Sequence, residues 1–193
     1  MLILASASPR RQELLRNAGI EFKVQAADVA ETPLAGESGR ACAERLARAK
    51  AEAIFIERSG DFVLGADTVV VVDGEILGKP ADATDATRML RLLSGRHHEV
   101  ITGVCLIGPA MPTKQGSRFV DTRSDNTHVK MARIGDGEID AYVASREPMD
   151  KAGAYAIQGM ASRWISRIEG DYFNVVGLPV ALVYAMLREH GAI

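Results

Sequence analysis

An α/β fold built on a mixed sheet is what this sequence predicts, and three observations predict it. Short runs rich in Val, Ile and Leu alternate with longer stretches whose apolar residues recur at helical spacing. Asp73-Gly74, a strong hairpin signal, closes the most Val-rich run, so the strands flanking it are antiparallel. With 193 residues, 47% of them hydrophobic and 25% charged, the chain fits one domain over 1–193, with room for two lobes about a cleft.

The elements follow in order. Leu2 to Ala5 reads as a buried strand. Ser8-Pro9 then starts a helix, because Ser caps the orphan amides and Pro suits the first helical position. Leu14, Leu15 and Ala18 give that helix one apolar face, and Gly19 ends it. Phe22 to Ala26 reads as a second strand, and 28–37 as an irregular acidic stretch. A long helix runs from Gly39 to Glu57 with an apolar stripe of Ala43, Leu46, Ala47, Ala51 and Ile54. Phe62 to Asp73 is strand, Asp82 to Leu93 helix, and Glu99 to Ile107 and Phe119 to Met131 two further strands. The polar, Pro- and Gly-containing loop joining the last two is expected to be mobile. Asp136 to Ser145 and Pro179 to His190 complete the helices.

Composition excludes several function classes. A net charge of -2 gives no basic field to attract nucleic acid. The longest apolar runs fall far short of the roughly 20 residues of a membrane span. The start, MLILA, is strand-like with no basic region before it, so a cytoplasmic location is expected. Cys42 and Cys105 form no CxxC pattern and read as reduced core thiols. His97 and His98 are adjacent in a strand and face opposite sides. With no HExxH or paired Cys/His spacing, zinc is not expected, and with no GxSxG elbow, acyl transfer is not expected either.

Five groups can carry chemistry. At Ser6-Ala7-Ser8-Pro9-Arg10-Arg11 a strand runs into a helix, so first-turn amides, two hydroxyls and two guanidiniums gather where an anion could bind. A capped surface helix with solvated arginines is the alternative reading. Lys50 interrupts the apolar stripe of the long helix. It either meets an anion in a cleft or snorkels from the stripe's edge. Asp67 lies in FVLGADTVVVVD on the strand face of Val63, Val69 and Val71, where a carboxylate must be neutralised, ion-paired, metal-bound or capping amides. Glu31, otherwise an ordinary loop acid, could supply a second oxygen to a hard cation. Gly78-Lys79-Pro80 is no P-loop. Only three residues separate Gly74 from Gly78, and Pro80 stands where Ser or Thr would be. Lys79 can still offer a point charge to a phosphate. Finally, 150–159 holds small residues that permit close backbone approach, and the Gln158 amide offers a donor and an acceptor, as a pyrimidine edge requires. A tight structural turn is the alternative there.

Taken together, these segments resemble the Maf family of nucleotide pyrophosphatases. The likeness runs in order over nearly the whole chain: LILASASPRRQELL, Glu31, RLARAKA, GADTVV, GEILGKP, LSGRHHEVITG, EPMDKAGAYAIQG and NVVGLPV. It implies an elongated mixed α/β sheet with helices on both sides and two lobes flanking a central cleft. It also implies a cytoplasmic, house-cleaning enzyme that uses a divalent cation, Mg2+ or Mn2+, to hydrolyse a nucleoside triphosphate to monophosphate and pyrophosphate. Asp67 would be the catalytic base and share the metal with Glu31. Ser8, Arg11, Lys50 and Lys79 would hold the phosphates, and Arg10, Thr68 and Gln158 would read the base. SPRR, GADT and IQG match the branch acting on dTTP and UTP, rather than the SPWR, GSDQ and SEG of the 7-methyl-GTP branch. Ala156 stands where Gly is common, a departure without expected consequence. The alternatives are the 7-methyl-GTP reaction and a nucleotide-binding regulator of cell division without turnover. A homodimer is left open.

Overall fold

A computed structural model of the chain describes residues 1–109 and 118–193. Its elements are β1 (Leu2–Leu4), α1 (Pro9–Asn17), β2 (Lys23–Val24), α2 (Gly39–Phe55), β3 (Phe62–Val72), β4 (Glu75–Leu77) and α3 (Ala83–Leu93). Then come β5 (His97–Gly108), β6 (Phe119–Met131), α4 (Asp136–Ala144), β7 (Ile165–Glu169), α5 (Tyr172–Val176) and α6 (Val180–Glu189). Three single 3-10 turns, Glu147–Asp150, Ala152–Ala154 and Met160–Trp164, lie between α4 and β7.

The strands form one mixed sheet in the order β2-β1-β3-β5-β6-β7, with β4 also on β3. β1 is parallel to β2 and β3, and the other pairs are antiparallel. Asp73 and Gly74 both take positive φ, 50° and 82°, the geometry that lets a two-residue turn follow the strand twist from β3 into β4. β1 pairs with β3 only at Phe62–Leu64, and β4 only at Val70–Val72. The middle of β3, from Gly65 to Val69, therefore has β5 on one side and an open edge on the other.

Residue parity assigns the two faces. Odd positions of β3 and β5 (Val63, Val69, Ile101, Cys105, Ile107) pack against Ala43, Leu46, Ala47 and Ala51 of α2. Even positions face two separate groups of helices. Leu64, Ala66, Val104 and Leu106 meet α1 and α6, whereas Val70, Val72 and Val100 meet α3 and α4. Two glycines let α2 lie close. A Cβ on Gly65 would sit 2.1 Å from the Ala47 carbonyl oxygen, and one on Gly103 would sit 2.3 Å from that of Ala43.

The expected elements from β1 to α4 and the last helix are present with shifted ends. The strand expected over 22–26 shrinks to Lys23–Val24, which is exposed and paired on one side only. In α1, Leu14 and Leu15 are buried as expected, but Ala18 is exposed and Ile20 takes its place. The α2 stripe is buried in full, Lys50 included. β7 and α5 were not expected from the sequence. Each is five residues long, too short for a periodicity to register. The loop expected to be mobile between β5 and β6 lies for the most part outside the described residues.

Gly65→Ala should push α2 off the sheet and destabilise the fold by about 1–3 kcal/mol. Urea unfolding would show a lower midpoint at unchanged slope, and a wild-type midpoint would contradict the close approach.

Candidate active site

A cleft of about 480 Å³ opens along the unpaired edge of β3. Ser6 to Arg11, Glu31, Lys50, Asp67, Thr68, Lys79, Asp150, Lys151 and 155–158 all line it. Every residue singled out from the sequence thus reaches one space.

Lys50 is at its centre. Carried by α2 and only 7% exposed, it donates to Asp67 Oδ1 at 2.6 Å and to Glu31 Oε1 at 2.5 Å. Asp67 is also only 7% exposed, and Oδ1 carries its only hydrogen bond among the described residues. Glu31 reaches onward through Oε2 to Lys79 at 2.7 Å. Burial acts to raise the Glu31 pKa, but the hydrogen bonds and charges of Lys50 and Lys79 outweigh it and hold it at about 2. A buried ammonium demands an anion, and here it has two. The cleft reading of Lys50 is the one realised.

Arg11 enters from the other face of the sheet and is buried. Its Nε donates to Gly177 O at 2.8 Å, Nη1 to Ala66 O at 2.8 Å and to Ser6 Oγ at 3.2 Å, and Nη2 to Thr68 Oγ1 at 3.0 Å. Ala66 is on the open stretch of β3, so Arg11 satisfies a carbonyl that a neighbouring strand would otherwise have taken. Among the described residues no carboxylate lies within ion-pair distance of Arg11. Burial lowers its pKa, opposed by the charges of Asp67 and Glu31. Four N–H groups are engaged by neutral oxygens, so the guanidinium keeps one N–H and a full charge for a ligand. Ser8 caps α1, its Oγ accepting from the Arg11 amide at 3.5 Å.

Arg10 pairs with Asp150 Oδ2 at 3.2 Å, and Lys151 with Asp150 Oδ1 at 2.5 Å. Burial acts to raise the Asp150 pKa, but hydrogen bonds from Lys151 and Arg10 bring it below its ordinary value. The Gly153 amide donates to Gly78 O at 3.0 Å, tying this segment to the strand end that carries Lys79. Gln158 is exposed at the rim. Behind the cleft, the Tyr155 hydroxyl meets His98 Nε2 at 2.8 Å. Burial, and then the charge of His97, depress the His98 pKa to about 4. His97 is exposed, as strand alternation requires.

Sequence reasoning missed Thr102, Asn174 and Gly177 as individual contributors, and took Ser6, Asp150 and Lys151 only as parts of their segments. Thr102 is wholly buried, which the structure shows and a strand-forming Thr in the sequence does not announce.

The donor set tests the expected metal. No group of three His, Cys, Asp or Glu able to hold an ion occurs among the described residues. Glu31 and Asp67 still present two carboxylates to the cleft, both accepting from Lys50, with no soft ligand. That suits Mg2+ or Mn2+, which take one or two carboxylates and complete their shell with substrate phosphates and water. Charge agrees. Five cations (Arg10, Arg11, Lys50, Lys79, Lys151) and three carboxylates (Glu31, Asp67, Asp150) line the cleft. This surplus of two falls short of the roughly four negative charges of a triphosphate by the charge of one divalent ion.

Residues 1–190 match the family described as Maf-like protein. The chain belongs to the Maf family. It is 56% identical over 192 residues to a dTTP/UTP pyrophosphatase of Koribacter versatilis (strain Ellin345), covering 100% of this chain and 95% of that one. The Geotalea uraniireducens (strain Rf4) protein of the same name is 52% identical, covering 100% and 96%. That of Symbiobacterium thermophilum is 50% identical over 190 residues, covering 98% and 94%. No described helix is long and apolar enough to cross a membrane.

Two groups give this Maf fold a stability that falls with acid. Glu31 has a folded pKa near 2 against an ordinary 4.5, so its contribution is complete above pH 4.5 and is lost as pH falls towards 2. His98 is held near 4 against 6.5, so the unfolded chain takes up its proton first and stability declines from pH 6.5 to 4. Unfolding measured against pH should show both slopes. Glu31→Gln should flatten the lower one and His98→Asn the upper one.

Proposed function

We propose that the cleft binds a nucleoside triphosphate and hydrolyses dTTP and UTP to the monophosphate and pyrophosphate. One observation carries this reading: Asp67, the one carboxylate embedded in β3, shares an ammonium with Glu31 beside a buried guanidinium that has no acid of its own among the described residues. The three relatives above carry that activity in their names. Glu31 and Asp67 are paired with Lys50 and Lys79 here, and beside a polyanion a divalent cation would add to that pairing.

In the reaction, the oxygen of a water bonds to the α-phosphorus and the bond to the α–β bridging oxygen breaks. The pyrophosphate leaves with that electron pair. Asp67 accepts the proton of the attacking water, and Lys50, hydrogen-bonded to Oδ1, fixes which oxygen is free to take it. Lys79, Arg11 and the amides at the Ser8 cap hold the phosphates in line. Glu31 and Asp67 would hold the divalent cation, which supplies charge neutralisation and a lower water pKa. Gln158 presents the donor and acceptor for a pyrimidine edge, and Arg10 lines the same cleft. A cytoplasmic setting suits both the nucleotide pool and the free thiols Cys42 and Cys105.

Purified protein with Mg2+ should release pyrophosphate from dTTP and UTP in preference to 7-methyl-GTP, and a chelator should abolish turnover. Asp67→Asn should lower kcat by about 10²–10⁴ while still binding substrate. Preference for 7-methyl-GTP would overturn the substrate, and an unimpaired Asp67→Asn the base. Binding without release would leave only a nucleotide sensor.

A further inference from the structure

Thr102 is wholly buried in β5, and no step above uses it. It belongs to the LSGRHHEVITG motif, which the reaction otherwise leaves unexplained. We infer that Thr102 is a positioning residue that acts on Arg11 through Thr68, an inference that rests on the phosphate-binding role given to Arg11.

The hydroxyl hydrogens and the distances together favour one direction for the contacts. Thr102 donates its single hydrogen to the Asn174 carbonyl oxygen at 3.2 Å. With that hydrogen spent, Thr102 accepts in its 2.9 Å contact with Thr68, which donates there rather than across the longer 3.4 Å to Gly177 O. That spends the only hydrogen of Thr68 and leaves lone pairs for Arg11 Nη2, 3.0 Å away. Donation runs one way, from Arg11 to Thr68, to Thr102, to Asn174 O. The far end is rigid. Asn174 is 0% exposed, and its Nδ2 donates to Val100 O at 2.9 Å and Thr127 Oγ1 at 3.0 Å. The α5 turn is thereby anchored to β5 and β6.

Without the Thr102 hydroxyl, the Thr68 hydrogen has only Gly177 O, a long 3.4 Å away and already accepting from Arg11 Nε. Arg11 is especially sensitive to such a change because only neutral oxygens orient it. A carboxylate partner would pull it back into line, and there is none among the described residues. The same contacts tie Thr68, which lines the cleft, to the orientation of Arg11.

Calorimetric affinities for inorganic tripolyphosphate and for thymidine test this in wild type, Thr102→Val and Thr102→Ser. Thr102→Val should bind tripolyphosphate about tenfold more weakly, the loss expected for a charge-assisted contact, with thymidine unchanged. KM for dTTP should rise by the same factor with kcat little altered. Thr102→Ser should restore both. Equal tripolyphosphate affinity in Thr102→Val and wild type overturns the inference, as does a parallel loss of thymidine binding or a serine variant no better than valine. If Thr102→Val does not fold, Thr102→Ala against Thr102→Ser decides in the same way. A wild type that releases no pyrophosphate sinks the functional reading instead, and leaves the tripolyphosphate comparison standing.

Discussion

Between Gly65 and Val69, β3 has a neighbour on one side only, and the chemistry of the cleft depends on that gap. In a strand paired on both sides, Asp67 and Thr68 would be sealed from each other by the sheet. At an open edge, side chains leaving opposite faces reach round into one space. Lys50 arrives from α2 on one face, and Arg11 arrives from α1 on the other, closing the edge by donating to Ala66 O. The gap exists because β1 ends at Leu4 and β4 does not begin until Glu75. Both flanking strands are three residues long, so the two groups of helices on the even face are bridged by β3 and its neighbour β5.

Residues that break a pattern were legible in the sequence. Asp67 interrupts a Val-rich strand and Lys50 an apolar stripe, and each proved buried and paired with the other. Ser8 and Pro9 announced the start of α1 through local chemistry alone. Contacts between remote segments were not legible. Glu31 is an unremarkable loop acid until its lysines, 19 and 48 positions away, come within reach. Thr102 is a good β-former in a β-strand, so nothing local separates a positioning hydroxyl from a space-filling one. Arg11 resisted in a different way. Its charge suggested a surface phosphate grip, whereas its carbonyl partners at Ala66 and Gly177 bury it between β3 and the turn after α5.

The charges alternate along the cleft wall: Asp67, Lys50, Glu31, Lys79. An ion pair buried in isolation gains little over an apolar pair of the same volume, because desolvation offsets attraction. A hydrophobic replacement at Lys50 and Asp67 could pack this interior as well. What it could not do is keep an ionised carboxylate beside an ammonium in a space open to ligand. Lys79 shows the gradient from interior to rim, its side chain 56% exposed against 8% for Lys50. A polyanion would meet the exposed cation first and the buried ones afterwards. Water is then displaced last where the dielectric is lowest and each charge counts most.

Base discrimination has few groups left to rest on. Thr68 is engaged by Thr102 and Arg11, and Arg10 gives one N–H to Asp150. The side chain with an uncharged donor and acceptor at the rim is Gln158, flanked by the backbone of Ala156 and Ile157. An amide can match the carbonyl and ring N–H of a thymine or uracil edge, and the 5-methyl that distinguishes the two makes no hydrogen bond. On the proposed reading, one such amide would serve both bases. It would also disfavour rings with a different edge, since a hydrogen-bonding site excludes a ligand lacking the partner by up to ~10⁴-fold.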